Sequence, residues 1–504
     1  MKKILINTNS WQTRIAITRD GRLQNIYFAA PSIEPLERVY FKGIVTKVLP
    51  GIQTAFVDIG QERAGFLHIS EVDRELALER IAKTIQLDED DSQRAKRSQL
   101  RRNIDIGKIF REGDPILVQV SKEPVYEKGA KLTTCFTLPG RFIVLMPNID
   151  RIGVSKKIEE RAERARLKEI VRSLLPEGMG AIIRTTSEDA LEKDIAKDVS
   201  FLVSTWNLIQ KKFNSAKPKE KIHVDIPLPL QIVRDHLDED VDEVIVDNKQ
   251  TQKEIYNYVK MIAPEFSHLI TFYNKTIPLF EYFDIEKQIE AALHKKVPLK
   301  SGGSLIIESA EAMTVVDVNT GRFIGKKDME ETILKTNLEA AEEIVRQLRL
   351  RNIGGLLVID FIDMAIPANR QKLTHFFERM LKERDKFQSV VLKVSEFGLV
   401  QMTRKRSGKT LVQQLTQRCP RCKGSGHIKS LQTDCFEILQ RTKEYIKKSK
   451  QMQEVTLFVH PEMFDYITTK QYDAIIGLEK QFGCLITLVT NAKLELDQYK
   501  IEKK

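Results

Sequence analysis

The sequence predicts a multidomain chain that mixes α+β and α/β layers. At 504 residues it is too long for one hydrophobic core, so three or more domains are expected. Residues 1–72 and 113–146 read as short strands punctuated by turn residues, whereas 298–415 alternate strand and helix. Hydrophobic residues at 42% and charged residues at 30% fit a soluble globular protein.

Within residues 1–35, ILINTNSWQTRIAITRDGRL alternates apolar and polar and reads as a hairpin turning at Asp20-Gly21. The start, MKKILINTNSW, reads as a first strand and not a signal peptide, and no apolar run reaches the length of a membrane span. Residues 39–72 give short strands with Gly at the turns. An acidic run (88–91) and a basic run (94–102) then mark 74–105 as either a mobile basic arm or a solvated helical insertion. Strands resume at 113–146. A charged helix (156–175), a strand AIIRTT (181–186) and a second helix (about 188–213) lead to a linker, SAKPKEK (215–221). Strand and helix signals continue to about 290. In the helix near 332–351, Leu334, Leu338, Ala341, Val345 and Leu348 form one apolar stripe. A Cys-Pro-Arg-Cys turn at 419–422 precedes a smaller helix–strand tail.

The net charge of +11 points to an acidic partner, nucleic acid first, although solvation alone also accounts for a basic surplus. Five cysteines make no disulfide framework, and the expected compartment is the reducing cytoplasm.

Two aspartates carry the chemistry. Within MTVVDVNTG (313–321) Asp317 follows, and within GGLLVIDFIDM (354–364) Asp360 follows, an apolar run that reads as a buried strand with the Asp at its end. A carboxylate at such a strand end needs a cation or hydrogen-bond donors. With Asn319 and Asp363 close behind, the pair forms an oxygen-only set suited to Mg²⁺ or Mn²⁺. The competing reading is that each Asp caps the turn or helix that follows.

FKGIVTKVLPGIQTAFVDIGQERAGFLHISEV (41–72) resembles the S1-type OB-fold RNA-binding domain through Gly43, Gly51, AFVDIG and GFLHIS. Such barrels expose aromatics on which bases stack, here Phe56 and Phe66. Both could instead be core, although alternation puts Phe56 on the same strand face as Asp58. In CPRCKGSGH (419–427), Cys419 and Cys422 supply two of the four ligands of a structural Zn²⁺. Either a second chain supplies the other two, or His427 and Cys435 complete the site. A redox pair is a third reading, but the flanks lack a thioredoxin-like βαβ setting. The basic clusters 349–351 and 404–409 either neutralise a phosphate backbone or form solvated faces.

These motifs, with TNLEAAEEIVRQLRLRNIGGLLVIDFIDM (336–364), VVDVNTG (315–321), KGAKLTT (128–134) and VLMPN (144–148), resemble the ribonuclease E/G family of bacterial endoribonucleases over essentially the whole chain. The E-type members' long disordered scaffold is missing, which points to the G type. The resemblance implies an RNase H-like subdomain (1–36 and 222–285) and an inserted S1-type OB-fold barrel (37–125, carrying the 74–105 insertion). It further implies a 5′-sensor (126–221), a DNase I-like catalytic subdomain (286–414), a zinc-link (415–427) and a small C-terminal dimerisation domain (428–504). By the same resemblance Asp317 and Asp360 hold one Mg²⁺, and Asn319 positions phosphate or water. Phe56, Phe66 and Lys128 hold RNA, and Arg184 and Thr185 recognise an RNA 5′-monophosphate. Cys419 and Cys422 share one Zn²⁺ between two chains, making a homodimer or higher assembly. The expected activity is Mg²⁺-dependent cleavage of single-stranded RNA, in rRNA processing and RNA turnover, to 5′-phosphate and 3′-hydroxyl products. The alternative is a non-catalytic RNA-binding assembly protein, which has no need of Asp317, Asn319 and Asp360 together. A DNA nuclease is disfavoured by the barrel.

Overall fold

Residues 1–30, 35–73, 77, 105–124, 129–320, 329–395, 398–448 and 453–503 are described by the structure, a computed structural model. Most of segment 74–105, and Lys128, lie outside them. The chain divides into two compact units, Met1–Gln414 and Leu415–Lys504.

In the first unit, Lys2–Thr8 pairs antiparallel with Thr13–Arg19, which pairs with Arg22–Ala29. The turn between the last two is Asp20-Gly21, both at positive φ, as a two-residue hairpin turn requires. The other edge of Lys2–Thr8 runs parallel to Val241–Val246, and that strand to Ile270–Phe272. Ile4, Ile6, Ile15 and Ile17 of this five-stranded sheet share a core with Val233 and Val259, from helices Leu228–His236 and Lys249–Ile262.

A closed five-stranded barrel follows. Its strands run in the order Tyr40–Leu49, Thr54–Asp58, Gly65–His68, Lys131–Thr133 and Pro115–Lys122, and the last pairs back with the first. Closure leaves little space between strands: a Cβ on Gly43 would lie 2.4 Å from Val57 Cγ1. Lys221–His223 adds to the Tyr40 strand from outside.

A four-stranded sheet (Leu138–Pro139, Ile143–Met146, Gly180–Ile183, Ile152–Val154) packs with helices Arg161–Leu174 and Glu192–Ser215. The 181–186 strand expected from sequence stops at Ile183, and Thr185–Ser187 turn as a 3₁₀ segment.

The largest sheet has six strands, ordered Lys296–Pro298, Ser304–Ser309, Met313–Asn319, Gly355–Asp360, Leu399–Arg404 and Ser389–Val391. Its two central strands are parallel, so the chain must cross over between them, and helix Met329–Leu350 lies on that crossover. The stripe is as expected: Ala341, Val345 and Leu348 are buried, and Leu334 and Leu338 pack at their margin. Each large side chain buried in this way contributes about 1.5–3 kcal/mol.

The central strands are not buried on both faces, as the apolar runs suggested. Thr314, Val316 and Val318 are buried, whereas Val315 is 40% exposed and Leu356 41%. Helices Met329–Leu350 and Pro367–Arg384 supply the core on one face only. The runs are apolar on both faces because Val and Leu also occupy the open one.

In the second unit, Glu454–Val459 runs parallel to Leu485–Thr490 and antiparallel to Tyr499–Lys503. Helices Leu431–Lys448, Pro461–Lys470 and Tyr472–Phe482 cover this sheet. A βαβ setting therefore does occur in this unit. The Cys pair precedes it and does not sit at its strand–helix joint, where His460-Pro461 stands.

Candidate functional site

Asp317 and Asp360 are register partners on the two central parallel strands. Both point to the open face: Asp317 is half-buried and Asp360 exposed. Asn319 is one pleat further on that face, and its Nδ2 donates to Asp317 Oδ2 at 2.8 Å. The amide is thus engaged with the carboxylate. That bond uses one Nδ2 hydrogen and leaves the second N–H and the Oδ1 acceptor out of it.

Burial raises the Asp360 pKa, and the nearby Asp317 and Asp363 charges raise it further. The site is anionic and oxygen-only, a donor set that fits a hard divalent cation. Among the described residues, no group of three or more His, Cys, Asp or Glu side chains gathers to hold a metal. Two carboxylates would leave most positions of an octahedral ion to water and substrate, which is usual for Mg²⁺. Among the described residues, neither Asp accepts a hydrogen bond from a helix N-terminal amide. Helix Pro367–Arg384 is met at its start by Glu330, whose carboxylate accepts from the amides of Ala365 and Ile366 at 3.3 and 3.0 Å.

Asn337 stands in the quoted stretch 336–364, but no periodicity or spacing singles it out. It is 0% exposed, and its side chain hydrogen-bonds both backbone groups of Ile362, between Asp360 and Asp363.

On the barrel, the register sets Lys47 opposite Phe56, Phe56 opposite Phe66, and Phe66 opposite Lys131. Both phenylalanines are half-buried and neither belongs to the barrel core, which takes Val45, Ala55, Val57 and Leu67 instead. The core reading of Phe56 is thereby excluded. The row is basic–aromatic–aromatic–basic, a combination that suits stacked bases flanked by phosphates. Lys131 is paired with Glu71, whereas Lys47 is exposed. Sequence alternation missed Lys47 because a bulge between Val45 and Lys47 shifts the period there.

Arg184 and Thr185 stand at the end of strand Gly180–Ile183, with Thr185 exposed. Arg184 Nη1 donates to Gly140 O at 2.5 Å, and Nη2 pairs with Asp235 at 2.9 Å.

The basic clusters divide: Lys405, Arg406 and Lys409 are exposed, whereas the three arginines Arg349, Arg351 and Arg404 turn inward. Arg404 forms a fully buried pair with Asp385, Arg351 donates to Gln347 Oε1 at 2.6 Å, and Arg349 donates to Asn25 Oδ1 at 2.5 Å. These three arginines hold the fold and are not laid out along a phosphate track.

In the second unit Cys419 is exposed and Cys422 half-buried. The backbone amides of Gly424 and Gly426, with the Cys419 side chain, lower the Cys422 thiol pKa. Cys435 is 0% exposed in the apolar core, and burial pushes its thiol up to about 11. A core thiol of this kind is a poor fourth ligand, so the single-chain site with His427 and Cys435 loses its support.

The profile of the "Ribonuclease E/G family" matches residues 137–407, that of the "S1 RNA binding domain" 39–134, and that of the "RNase E/G, Thioredoxin-like domain" 418–504. Ribonuclease G of Escherichia coli K12 is 38% identical over 438 residues, covering 87% of this chain and 86% of that protein. Ribonuclease G of Haemophilus influenzae is 36% identical over 480 residues, covering 95% and 94%. Ribonuclease E of Escherichia coli K12 is 36% identical over 506 residues, covering 99% of this chain but 46% of that protein. The chain belongs to the ribonuclease E/G family.

Proposed function

We propose that this protein is an endoribonuclease that cleaves single-stranded RNA at the Asp317–Asp360 site, in the processing of rRNA and other transcripts. The register pairing of these two carboxylates on an open sheet face carries the reading. Asp317 and Asp360 would hold one Mg²⁺. A bound divalent ion there lowers the pKa of water and neutralises charge developing on a phosphoryl group. Asn319, bonded to Asp317 through one amide hydrogen, orients water or phosphate by hydrogen bonding. The Phe56–Phe66 row, with Lys47 and Lys131 at its ends, holds bases and backbone, and Lys128 belongs to the same reading. Products carry 5′-phosphate and 3′-hydroxyl ends. Arg184 and Thr185 form a site for an RNA 5′-monophosphate. Cys419 and Cys422 of two chains share one Zn²⁺, which makes the protein a homodimer.

In the same reading the five-stranded sheet is the RNase H-like subdomain and the six-stranded sheet the DNase I-like one. Among the described residues no helix is long and apolar enough to cross a membrane. The test is cleavage of an unstructured 5′-monophosphorylated RNA with and without Mg²⁺. Metal-dependent products with 5′-phosphate ends are expected. RNA binding without cleavage would leave a non-catalytic RNA-binding protein.

A further inference from the structure

Arg184 is held by a closed ring of contacts that joins two segments far apart in sequence. Its Nη1 donates to the carbonyl of Gly140, and its Nη2 pairs with Asp235 Oδ1. The same Asp235 oxygen accepts from Arg234 Nε at 3.2 Å, and Arg234 Nη1 donates to the carbonyl of Pro139 at 2.9 Å. Two arginines thus grip consecutive carbonyls of one segment and share one carboxylate oxygen of helix Leu228–His236.

The carbonyl side of the ring is rigid. Asp198 accepts from the amides of Arg141, Phe142 and Ile143 at 3.2, 2.9 and 3.1 Å. It lies so close that a Cβ on Gly140 would meet its carboxylate at 2.4 Å. The acidic side is firm as well. Burial opposes ionisation of Asp235, yet Arg184, Arg234 and Lys386 outweigh it and pull its pKa down to about 2.

An arginine has five N–H groups in a planar fork. The Gly140 carbonyl takes one Nη1 hydrogen and the Asp235 charge holds Nη2 at 2.9 Å, while among the described residues Nε–H makes no hydrogen bond. A flexible guanidinium must be ordered when it meets a phosphate, whereas a fixed one is ordered beforehand. Arg234 has a second acid, Asp225, at 3.4 Å. Among the described residues Asp235 is the one carboxylate within ion-pair distance of Arg184.

We infer that Asp235 is a positioning residue that orients the Arg184 guanidinium toward the 5′-terminal phosphate of an RNA substrate. This rests on the reading of Arg184 and Thr185 as the 5′-monophosphate site. Asp235 does not touch the RNA. It sets how strongly the enzyme distinguishes a phosphorylated 5′ end from a hydroxyl end.

The test compares kcat/KM on one unstructured RNA carrying either a 5′-monophosphate or a 5′-hydroxyl, using the full chain. Asp235→Asn removes the charge that pairs with Arg184 and should lower the ratio of the two values roughly tenfold. The change should lie in KM for the phosphorylated RNA. Asp235→Glu keeps the charge but displaces it by one methylene, and should lower the ratio less. A merely structural role would reduce both kcat/KM values together and leave the ratio intact, which overturns the proposal. If Asp235→Asn does not fold, the ratio for Asp235→Glu decides: a wild-type ratio there overturns it too. Arg184→Gln separates the two ideas. A wild type indifferent to the 5′ end removes the 5′-site reading and this proposal with it. A wild-type preference that Arg184→Gln abolishes and Asp235→Asn retains removes this proposal alone.

Discussion

The Asn337 side chain holds Ile362 by both backbone groups. Its Nδ2 donates to the Ile362 carbonyl at 2.8 Å, and its Oδ1 accepts from the Ile362 amide at 3.0 Å. Ile362 is the second residue after Asp360 and the one before Asp363, so a fully buried side chain of the crossover helix sets the turn that leaves the acidic site.

Asn337→Ala would leave both backbone groups of half-buried Ile362 without these partners, at a cost of at most about 1–3 kcal/mol for each, less where water replaces them. Thermal denaturation should show the loss, and cleavage should fall further than RNA affinity because the turn beside Asp360 is released. A variant with wild-type Tm and activity would contradict the clamp.

Asp317→Asn and Asp360→Asn should each reduce RNA cleavage by roughly a hundredfold or more, since the group they hold acts on transition-state charge. RNA affinity should change little if the barrel supplies most of the binding. Single-turnover cleavage read beside filter binding separates the two quantities. Full activity in either variant would remove the site assignment.

Phe56→Ala or Phe66→Ala should weaken single-stranded RNA binding by about 1–3 kcal/mol if a base stacks on the ring. Stability should change modestly, because both rings lie outside the barrel core. Lys47→Ala should lower the slope of log affinity against log salt by about 0.7 if it meets one phosphate of a single strand. An unchanged slope would place Lys47 off the RNA path.

Asp235 implies a pH window. Its folded pKa is about 2, against an ordinary value of 3.8. A depressed carboxylate contributes stability in full above its unfolded value and loses it as pH falls through the folded one. The stability gap between wild type and Asp235→Asn should therefore be constant above about pH 5 and close toward pH 2. The cations acting on Asp235 are Arg184, Arg234 and Lys386, which stay charged in that range; the adjacent His236, whose pKa burial and Lys386 hold well below the ordinary value, is also coupled to Asp235, so the comparison is repeated in a His236→Gln background. A gap that persists at pH 2 would show that the pair does not hold the carboxylate.

Zinc analysis should give one Zn²⁺ per two chains, and chelation should weaken the dimer, because two thiolates per chain make up one four-ligand site. Cys435→Ser should keep its zinc, since that thiol lies in the core of the second unit. Loss of zinc in that variant would restore the single-chain site.

Much of the site was legible locally. Asp360 was visible as a strand end, and Asp317 by its apolar run although its strand continues to Asn319; the Asp20-Gly21 turn was visible from its residue types, the barrel from spaced glycines and aromatics, and the Cys pair from its spacing. Each is a property of a short stretch of chain, set by backbone conformation and side-chain chemistry that neighbouring residues decide. Pairing between distant segments is not local. Only the tertiary structure set Asp317 opposite Asp360, brought Lys47 into the aromatic row across a bulge, and gave Arg184 its partner Asp235. It also turned Arg349, Arg351 and Arg404 inward, where partners elsewhere in the fold meet them. An apolar run reports that a strand joins a sheet, but not whether one face or two are covered. That depends on where the helices pack, and here they left open the face that carries both aspartates.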